Sequence, residues 1–114
     1  MTSSELKRIA DERASEVIPN PPLDLSERRA RFDDTATAIA DDVSVREVEI
    51  DGMFADWILT PNADLNSRIL YLHGGGYSVG SKISHRRLAA DIAHASKSAV
   101  LVLDYRLAPE FKYP

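Results

Sequence analysis

The sequence predicts an α/β fold in which helices cover a largely parallel β-sheet. Two short runs, Ile69–Leu72 and Ala99–Leu103, are continuously apolar, which is typical of parallel strands covered on both faces. Between them, apolar residues recur at helical spacing and predict a crossover helix with Ser84 as its N-cap. Its predicted buried face consists of Leu88, Ala89, Ile92 and Ala93. A strand, a helix and a second strand in this order form a βαβ unit.

An antiparallel hairpin is predicted in front of this unit. Asp51-Gly52 is a turn signal, and apolar residues alternate with polar ones on both sides of it. The alternation changes phase between Val45 and Val48, so we expect a bulge or bend near Arg46–Glu47. After the turn, Trp57 alternates with two other apolar residues, which predicts that its side chain lies on the core face of the sheet.

Two amphipathic helices are predicted before the hairpin. The first has apolar residues at helical spacing over Leu6–Val17 and ends before Pro19–Pro22. The second begins at Asp24 or Ser26, because Asp24 and Glu27 have the spacing of a capping box. We expect this second helix to bury Leu25, Phe32, Ala36 and Ile39.

Composition narrows the class of protein. The chain has 114 residues, 44% of them hydrophobic, and a net charge of −4, which argues against a nucleic-acid partner. It contains no cysteine, which excludes disulfides and thiol catalysis. The N-terminus lacks the apolar core of a signal peptide, and the longest apolar run, Ala99–Leu103, is too short to span a bilayer. We therefore expect a cytoplasmic protein with no membrane span.

No cofactor or metal site is predicted. His85 and His94 are nine positions apart on one predicted helix, too far for shared ligation of a metal, and no acidic cluster joins them. We interpret both histidines as structural or solvent-facing.

The segment with the clearest chemical meaning is His73-Gly74-Gly75-Gly76-Tyr77, directly after the first apolar run. Glycines lack a Cβ atom, so consecutive N–H groups can turn toward one point and a ligand can approach the backbone. Acyl-transfer enzymes need such donors where negative charge develops on a carbonyl oxygen. An HGGG motif is the pattern of the oxyanion loop in lipases and esterases, although a tight structural loop would also use these glycines.

These residues resemble the hormone-sensitive-lipase branch of the α/β-hydrolase family, which includes bacterial esterases and lactone hydrolases. The resemblance implies the N-terminal part of an α/β-hydrolase fold: cap helices, a β-hairpin and a βαβ unit in an incomplete sheet. Residues 1–40 would form the cap helices and residues 41–114 the first part of the core. The segments that carry the resemblance are His73–Tyr77 with Gly80-Ser81, His85-Arg86, and Asp104–Glu110.

The resemblance also assigns roles within the glycine-rich segment. The backbone N–H groups of Gly75 and Gly76 would be the oxyanion donors, while His73 and Gly74 brace the loop. Tyr77 would form part of the acyl or alcohol pocket. Three further residues would be buried or half-buried groups that tie the loop after the second strand to its surroundings: Tyr105, Arg106 and Glu110.

The family's nucleophile lies in a later strand-to-helix elbow of the form G-D-S-A-G, followed by an Asp and a His. None of these can be placed before Pro114, so we expect the chain alone to be inactive. Ser78 fits the pattern G-x-S-x-G, but no strand directly precedes it and no helix directly follows. We interpret Ser78 as a loop hydroxyl that bonds nearby backbone. Asp104 is expected to accept hydrogen bonds at the strand end.

The unfinished sheet also predicts how the chain behaves. A strand as apolar as Ala99–Leu103 needs neighbours on both edges and cover on both faces, and only the short segment Arg106–Pro114 follows it. We therefore expect this strand to be uncovered and prone to aggregation.

The functional expectation is a hydrolase of carboxylic esters or lactones that uses a serine nucleophile. Its partners would be a small hydrophobic ester or lactone and a complementing C-terminal hydrolase fragment. Two alternatives stay open: a catalytically silent member that binds small molecules as a receptor, and a truncated reading frame without independent function.

Overall fold

The computed structural model describes residues 2–16 and 21–112. These residues contain a four-stranded sheet, two helices that precede the first strand along the chain, and a third helix between the last two strands. The predicted end of the first helix, at Val17 and Pro19–Asn20, lies outside the described residues. In the described ranges, no helix is both long and apolar enough to cross a membrane. The elements are α1 (Ser3–Ala14), α2 (Leu25–Asp33), β1 (Ser44–Ile50), β2 (Met53–Leu59), β3 (Asp64–Leu72), α3 (Arg86–Ser96) and β4 (Ser98–Leu103).

The strands lie in the order β1-β2-β4-β3. The pairs β1–β2 and β2–β4 are antiparallel, and β3–β4 is parallel, which confirms the hairpin and the βαβ unit. Strand β4 is therefore interior and paired on both edges, so the expectation that Ala99–Leu103 has an uncovered edge was wrong. β2 returns to pair with β4, which the order of elements along the chain does not reveal. The outer edge of β3 has no partner strand among the described residues.

The core lies between α3 and one face of the sheet. The helix buries three small residues there, Ala89, Ala90 and Ala93, and small side chains let the helix approach the strands closely. Against it lie the fully buried side chains of β2 and β4, Ile58, Val100 and Val102. Two predictions about α3 were wrong. Leu88 is 49% exposed rather than buried, and the N-cap is His85, not Ser84, without a side-chain capping bond.

The opposite face of the sheet is apolar but largely uncovered. Neighbouring residues of a strand point to opposite faces of the sheet. Because the pair Ile58–Val100 is buried against α3, the adjacent pair Trp57–Leu101 lies on the opposite face, where Trp57 is half-buried. The prediction that Trp57 faces the core was therefore wrong. Leu70 and Leu72 of β3 lie on the same side and are 58% and 57% exposed. The alternation in the sequence identified two faces correctly but not which of them the helix covers.

The hairpin is regular. Asp51 and Gly52 both have positive φ, 51° and 76°, as a type I′ turn requires. The register runs without a shift from Ser44↔Leu59 to Ile50↔Met53, so the bulge expected near Arg46–Glu47 is absent. The phase change arises because β1 carries apolar residues on both faces. Val45 pairs with Ile58 on the face that α3 covers, whereas Val48 pairs with Ala55 on the opposite face.

The N-terminal helices both begin with a capping box. The predicted start of α2 is confirmed, since Asp24 and Glu27 cap each other reciprocally. The equivalent box of α1, formed by Thr2 and Glu5, was not predicted. Helix α2 ends at Asp33, so two residues assigned to its buried face lie beyond it: Ala36, which is exposed, and Ile39, which packs on the core. Neither helix has a fully buried residue.

Candidate functional site

The glycine loop, defined here as residues 73–80, follows the C-terminal end of β3 and requires glycine at particular positions. Gly75 has φ 129° and Gly80 has φ 92°, values that residues with a Cβ rarely adopt. A Cβ on Gly80 would lie 2.6 Å from the carbonyl oxygen of Gly74 and from Nδ1 of His73. A Cβ on Gly75 would overlap the carbonyl of Val79. Gly76, at φ 60°, has open space around it, so only its backbone conformation favours glycine.

The loop closes on itself through one carbonyl. The oxygen of Gly75 accepts hydrogen bonds from the amides of Ser78 and Val79, at 3.2 and 3.1 Å. The β3–β4 ladder ends at Leu72, before the loop. Among residues 2–16 and 21–112, the amides of Gly75 and Gly76 donate to no acceptor. Both groups are therefore available as donors to a ligand.

An apolar cleft of about 740 Å³ lies beside these amides. Its polar side is the backbone of the glycine loop, and Tyr77, which is 78% exposed, adds an aromatic side chain. Its apolar wall comes from the uncovered face of the sheet. The structure thus brings the sequence-predicted residues 73–77 to a single cleft at the strand end. The lining residues are Met53, Leu70, Leu72, His73, Gly74, Gly75, Gly76, Tyr77, Leu103 and Tyr105.

His73 braces the loop from inside. Its side chain is buried, and Nδ1 lies 2.8 Å from the carbonyl oxygen of Gly74, so this nitrogen carries the proton and donates it. The ring stacks on Tyr105 with centroids 4.4 Å apart, and the Tyr105 hydroxyl donates to the His73 carbonyl. Burial raises the pKa of Tyr105, which keeps this donor protonated. Within the described part of the chain, Nε2 of His73 is buried without a hydrogen-bond partner.

The ring stack continues to α3 and α2. His85 lies 5.4 Å from His73 and 6.1 Å from Phe32 of α2, measured between ring centroids. Burial, and then the nearby His73, lower the pKa of His85, so it is neutral at physiological pH. The structural interpretation of His85 fits this position. His94 is partly exposed, with Nε2 3.3 Å from a carboxylate oxygen of Asp42.

Asp104 and Ser78 occupy positions that support their predicted structural roles. The Asp104 carboxylate accepts from the Lys82 amide, and the Asp104 amide donates to the Phe54 carbonyl at 2.9 Å. Burial raises the pKa of Asp104, although the bond from Lys82 opposes this. The Ser78 hydroxyl lies 3.5 Å from the Gly75 carbonyl oxygen, and no histidine in the described residues bonds it. Ser78 sits in a turn rather than between a strand and a helix.

A buried ion cluster on the side of the sheet that α3 covers was not predicted. Asp56 is 1% exposed, and its two carboxylate oxygens each lie 2.6 Å from a cation, Nζ of Lys82 and Nη2 of Arg86. Lys82 also contacts Glu47 at 2.6 Å. Burial opposes the charge of Lys82, but its bonds to Asp56 and Glu47 outweigh burial and raise its pKa. The available signal was an Asp in the middle of an apolar strand.

Arg29 of α2 is a second residue that sequence reasoning missed. Its Nε donates to the Ser78 carbonyl at 2.8 Å, and Nη2 donates to the Ala108 carbonyl at 3.0 Å. The same guanidinium makes a bidentate pair with Glu110, at 2.7 and 2.9 Å, and lowers the pKa of that carboxyl to about 2. Three residues after β4 were expected to be buried or half-buried. Tyr105 is half-buried as predicted, but the prediction was wrong for Arg106 and Glu110, which are exposed. Arg106 instead lies over the Phe111 ring.

Comparison with known proteins places this geometry in a family. A family profile described as the alpha/beta hydrolase fold matches residues 69–114. An acetyl-hydrolase of Streptomyces hygroscopicus is 34% identical over 113 residues, which cover 96% of this chain and 30% of that protein. An ethyl acetate hydrolase of Pseudomonas putida is 31% identical over 113 residues, 89% of this chain and 36% of that protein. The chain thus spans about a third of the length of these relatives.

Solved structures agree with the sequence matches. The crystal structure of an esterase/lipase from an uncultured bacterium superposes with a TM-score of 0.87 at 38% identity, covering 100% of this chain and 39% of that one. An esterase of the bacterial hormone-sensitive lipase family superposes with a TM-score of 0.82 at 35% identity, with 100% and 39% coverage. The chain therefore corresponds to the N-terminal portion of an α/β hydrolase of the hormone-sensitive-lipase type.

Proposed function

We propose that this chain supplies the oxyanion loop of a carboxylic-ester hydrolase, with the backbone N–H groups of Gly75 and Gly76 as the donors. The observation that carries the proposal is that both amides lack an acceptor among the described residues while lying beside an apolar cleft. His73 and Gly74 hold the loop from inside, and Tyr77 forms part of the cleft wall.

The proposed chemistry is acyl transfer to a serine. A serine oxygen attacks the ester carbonyl carbon, the carbonyl oxygen gains negative charge, and the two amides stabilise that charge. Each such donor contributes roughly 10²–10³ in rate. The alcohol leaves, and water then releases the acyl group from the serine. The serine and its base must come from sequence other than the described residues, such as a complementing C-terminal hydrolase fragment.

The substrate class follows from the cleft. Apolar side chains of the sheet face line it, and Tyr77 adds an exposed aromatic ring, so we infer small hydrophobic esters or lactones as substrates. Two relatives support short acyl groups, because they are an acetyl-hydrolase and an ethyl acetate hydrolase. A cytoplasmic location stays a prediction of the sequence alone.

The test is reconstitution of activity. The 114-residue chain, purified alone, is expected to give no turnover of p-nitrophenyl acetate above buffer. Mixed with the C-terminal part of the esterase/lipase from the uncultured bacterium, it is expected to restore turnover that a serine-directed phosphonate inhibits. Turnover by the chain alone that disappears in Ser78→Ala would instead identify Ser78 as the nucleophile.

A matched pair of glycine substitutions tests the donors. Gly76→Ala forces a side chain onto φ 60° with open space around it, and Gly52→Ala does the same at φ 76° in the distant hairpin turn. In the reconstituted enzyme we expect Gly76→Ala to lower kcat/KM by about tenfold or more, because the amide moves away from the oxyanion. Gly52→Ala should leave kcat/KM unchanged. Equal losses in both variants would contradict the assignment.

The receptor-like alternative uses the same cleft without chemistry. Its support is the apolar lining beside the Gly75 and Gly76 amides, which have no acceptor among the described residues and would also bind the carboxylate of a hydrophobic acid. Micromolar binding of such an acid to the folded chain, together with failure of reconstitution, would favour it. For the alternative of a truncated reading frame, the test is the DNA after the Pro114 codon, where sequence that encodes a G-D-S-A-G elbow would support it.

A further inference from the structure

We propose that Arg29 is a positioning residue that transmits the placement of helix α2 to the glycine loop. The inference rests on the proposed function, because the loop it positions is the one assigned to the oxyanion. Arg29 lies outside the motifs that carry the family resemblance, and its side chain contacts two separate loops.

The guanidinium joins two loops that are far apart in sequence. It donates to the carbonyl of Ser78 in the glycine loop and to the carbonyl of Ala108 in the loop after β4. These loops also bond each other directly, because the Ala108 amide donates to the Tyr77 carbonyl at 2.8 Å. Arg29 therefore closes a small hydrogen-bonded ring around the peptide unit that follows Tyr77.

That peptide unit is the part of the loop most in need of support. Tyr77 has φ 59°, a conformation that a residue with a Cβ adopts only where its surroundings enforce it. The turn bonds from the Ser78 and Val79 amides to the Gly75 carbonyl enforce it from within the loop, and the contacts at the Tyr77 and Ser78 carbonyls enforce it from outside. If these contacts are lost, Tyr77 can relax toward negative φ, which rotates the Gly76–Tyr77 peptide unit and, through the backbone of Gly76, displaces the Gly76 amide.

Helix α2 makes a second contact with the same loop region. Asp33 lies one turn after Arg29, and its carboxylate accepts from the Ser81 hydroxyl just beyond the glycine loop. The two contacts are on one helix face, so a shift of α2 displaces both ends of the segment from 78 to 81. Glu110 contributes by fixing the orientation of the Arg29 guanidinium through a bidentate pair. A lysine at position 29 could not make the same set of bonds, because an ammonium group lacks planar, divergent donors.

The experiment uses the ¹⁵N-labelled full chain and compares Arg29→Gln and Arg29→Lys with Arg28→Gln, a neighbouring exposed arginine of α2. Amide hydrogen exchange is measured at Ala108 and Val79, which donate to the Tyr77 and Gly75 carbonyls. Heteronuclear NOEs are measured at Gly75 and Gly76. We expect about tenfold faster exchange and lower NOEs in both Arg29 variants, and no change in Arg28→Gln.

The exchange of α3 and β4 amides serves as the control for folding. Arg29→Gln should leave it unchanged. If α3 and β4 lose protection to the same extent as Ala108, the effect is general destabilisation and the proposal is overturned. If only α2 amides exchange faster while Ala108 and Val79 are unaffected, Arg29 merely anchors the helix and the proposal is also overturned.

Glu110→Gln separates the carboxylate from the carbonyl contacts. It removes the charge of the pair but keeps an oxygen acceptor, so Arg29 should still reach the Ser78 and Ala108 carbonyls. We expect a change of less than about threefold in exchange at Ala108. A change as large as in Arg29→Gln would overturn the role of the carbonyl contacts. All these measurements are independent of turnover, so their failure is distinct from failure of the proposed function.

Discussion

At the scale of single residues, the glycines of the loop have different reasons to be glycine. Gly80 needs both a positive φ and the absence of a Cβ, because His73 and the Gly74 carbonyl fill the space beside it. Gly74 has open space and no unusual φ, so the structure gives no steric reason for glycine there. From the sequence alone, the reason for glycine at Gly74 cannot be distinguished from the reason for glycine at Gly80.

Gly80→Ala tests this steric requirement. A Cβ at 2.6 Å from backbone and ring atoms forces the loop to shift, so we expect a loss of about 2–4 kcal/mol in the free energy of unfolding. Gly52→Ala, at similar φ with open space, should cost only about 1–2 kcal/mol. Urea unfolding followed by circular dichroism measures both. A Gly80→Ala chain as stable as Gly52→Ala would contradict the close packing around Gly80.

The buried ion cluster makes a second prediction at this scale. Asp56→Asn removes the negative charge that faces Lys82 and Arg86. Lys82 then remains buried, and Glu47, which is partly exposed, is the carboxylate that still pairs with it. We expect a loss of about 3 kcal/mol in the free energy of unfolding, as for other buried pairs with one partner removed. Glu47→Gln is the control, because Glu47 is 60% exposed and should cost at most about 1 kcal/mol.

At the scale of elements, α2 depends on polar contacts rather than on burial. It has no fully buried residue, and Arg29, Asp33 and the stack of Phe32 on His85 connect it to the body of the protein. Helix α3 differs, because its alanine face is buried in the core. The position of α2 should therefore respond more strongly to pH and salt than that of α3, which is also held by burial of its alanine face.

Acid should weaken the attachment of α2 before it unfolds the sheet. The pKa of Glu110 is lowered from 4.5 to about 2 by its bonds from Arg29, so the folded state favours the charged carboxylate. The stabilisation is present above pH 4.5 and is lost as pH falls toward 2. We expect α2 amides to be better protected in the native chain than in Glu110→Gln at pH 7, and equally protected near pH 2. Hydrogen exchange measures this, and a difference that persists near pH 2 would contradict it.

At the scale of the whole molecule, the sheet face away from α3 exposes apolar side chains. Leu70 and Leu72 are more than half exposed on the sheet face away from α3, and β3 has an unpaired outer edge within the residues described. The aggregation expected from the sequence therefore shifts in location, from β4 to β3. A long apolar edge strand is a template for pairing with another chain.

Charged substitutions on β3 should reduce association. We expect Leu70→Lys combined with Leu72→Lys to shift the chain toward monomer in sedimentation velocity, because a charge on the edge strand opposes pairing. Leu88→Lys is the control, since Leu88 is also exposed but lies on α3, and it should leave association unchanged. Association that falls equally in both would contradict an interface at β3.

Local pattern was sufficient for the elements and for the loop. The apolar runs, the Asp51-Gly52 turn and the Asp24–Glu27 box each depend on residues close in sequence, and the structure confirms all three. The glycine loop was located for the same reason, because glycine spacing is a local property. The face of Trp57 and the partners of Arg29 were not found, because both depend on which distant segments come into contact.

By itself, the sequence determined the hairpin, the βαβ unit and the position of the glycine loop after β3, since periodicity and turn chemistry act over a few residues. Tertiary structure decided that β4 is interior, that Asp56 is buried with Lys82 and Arg86, and that Arg29 donates a hydrogen bond to the glycine loop. These features arise only when chain packing brings remote charges and strand edges together, because no local pattern encodes a contact across 49 residues.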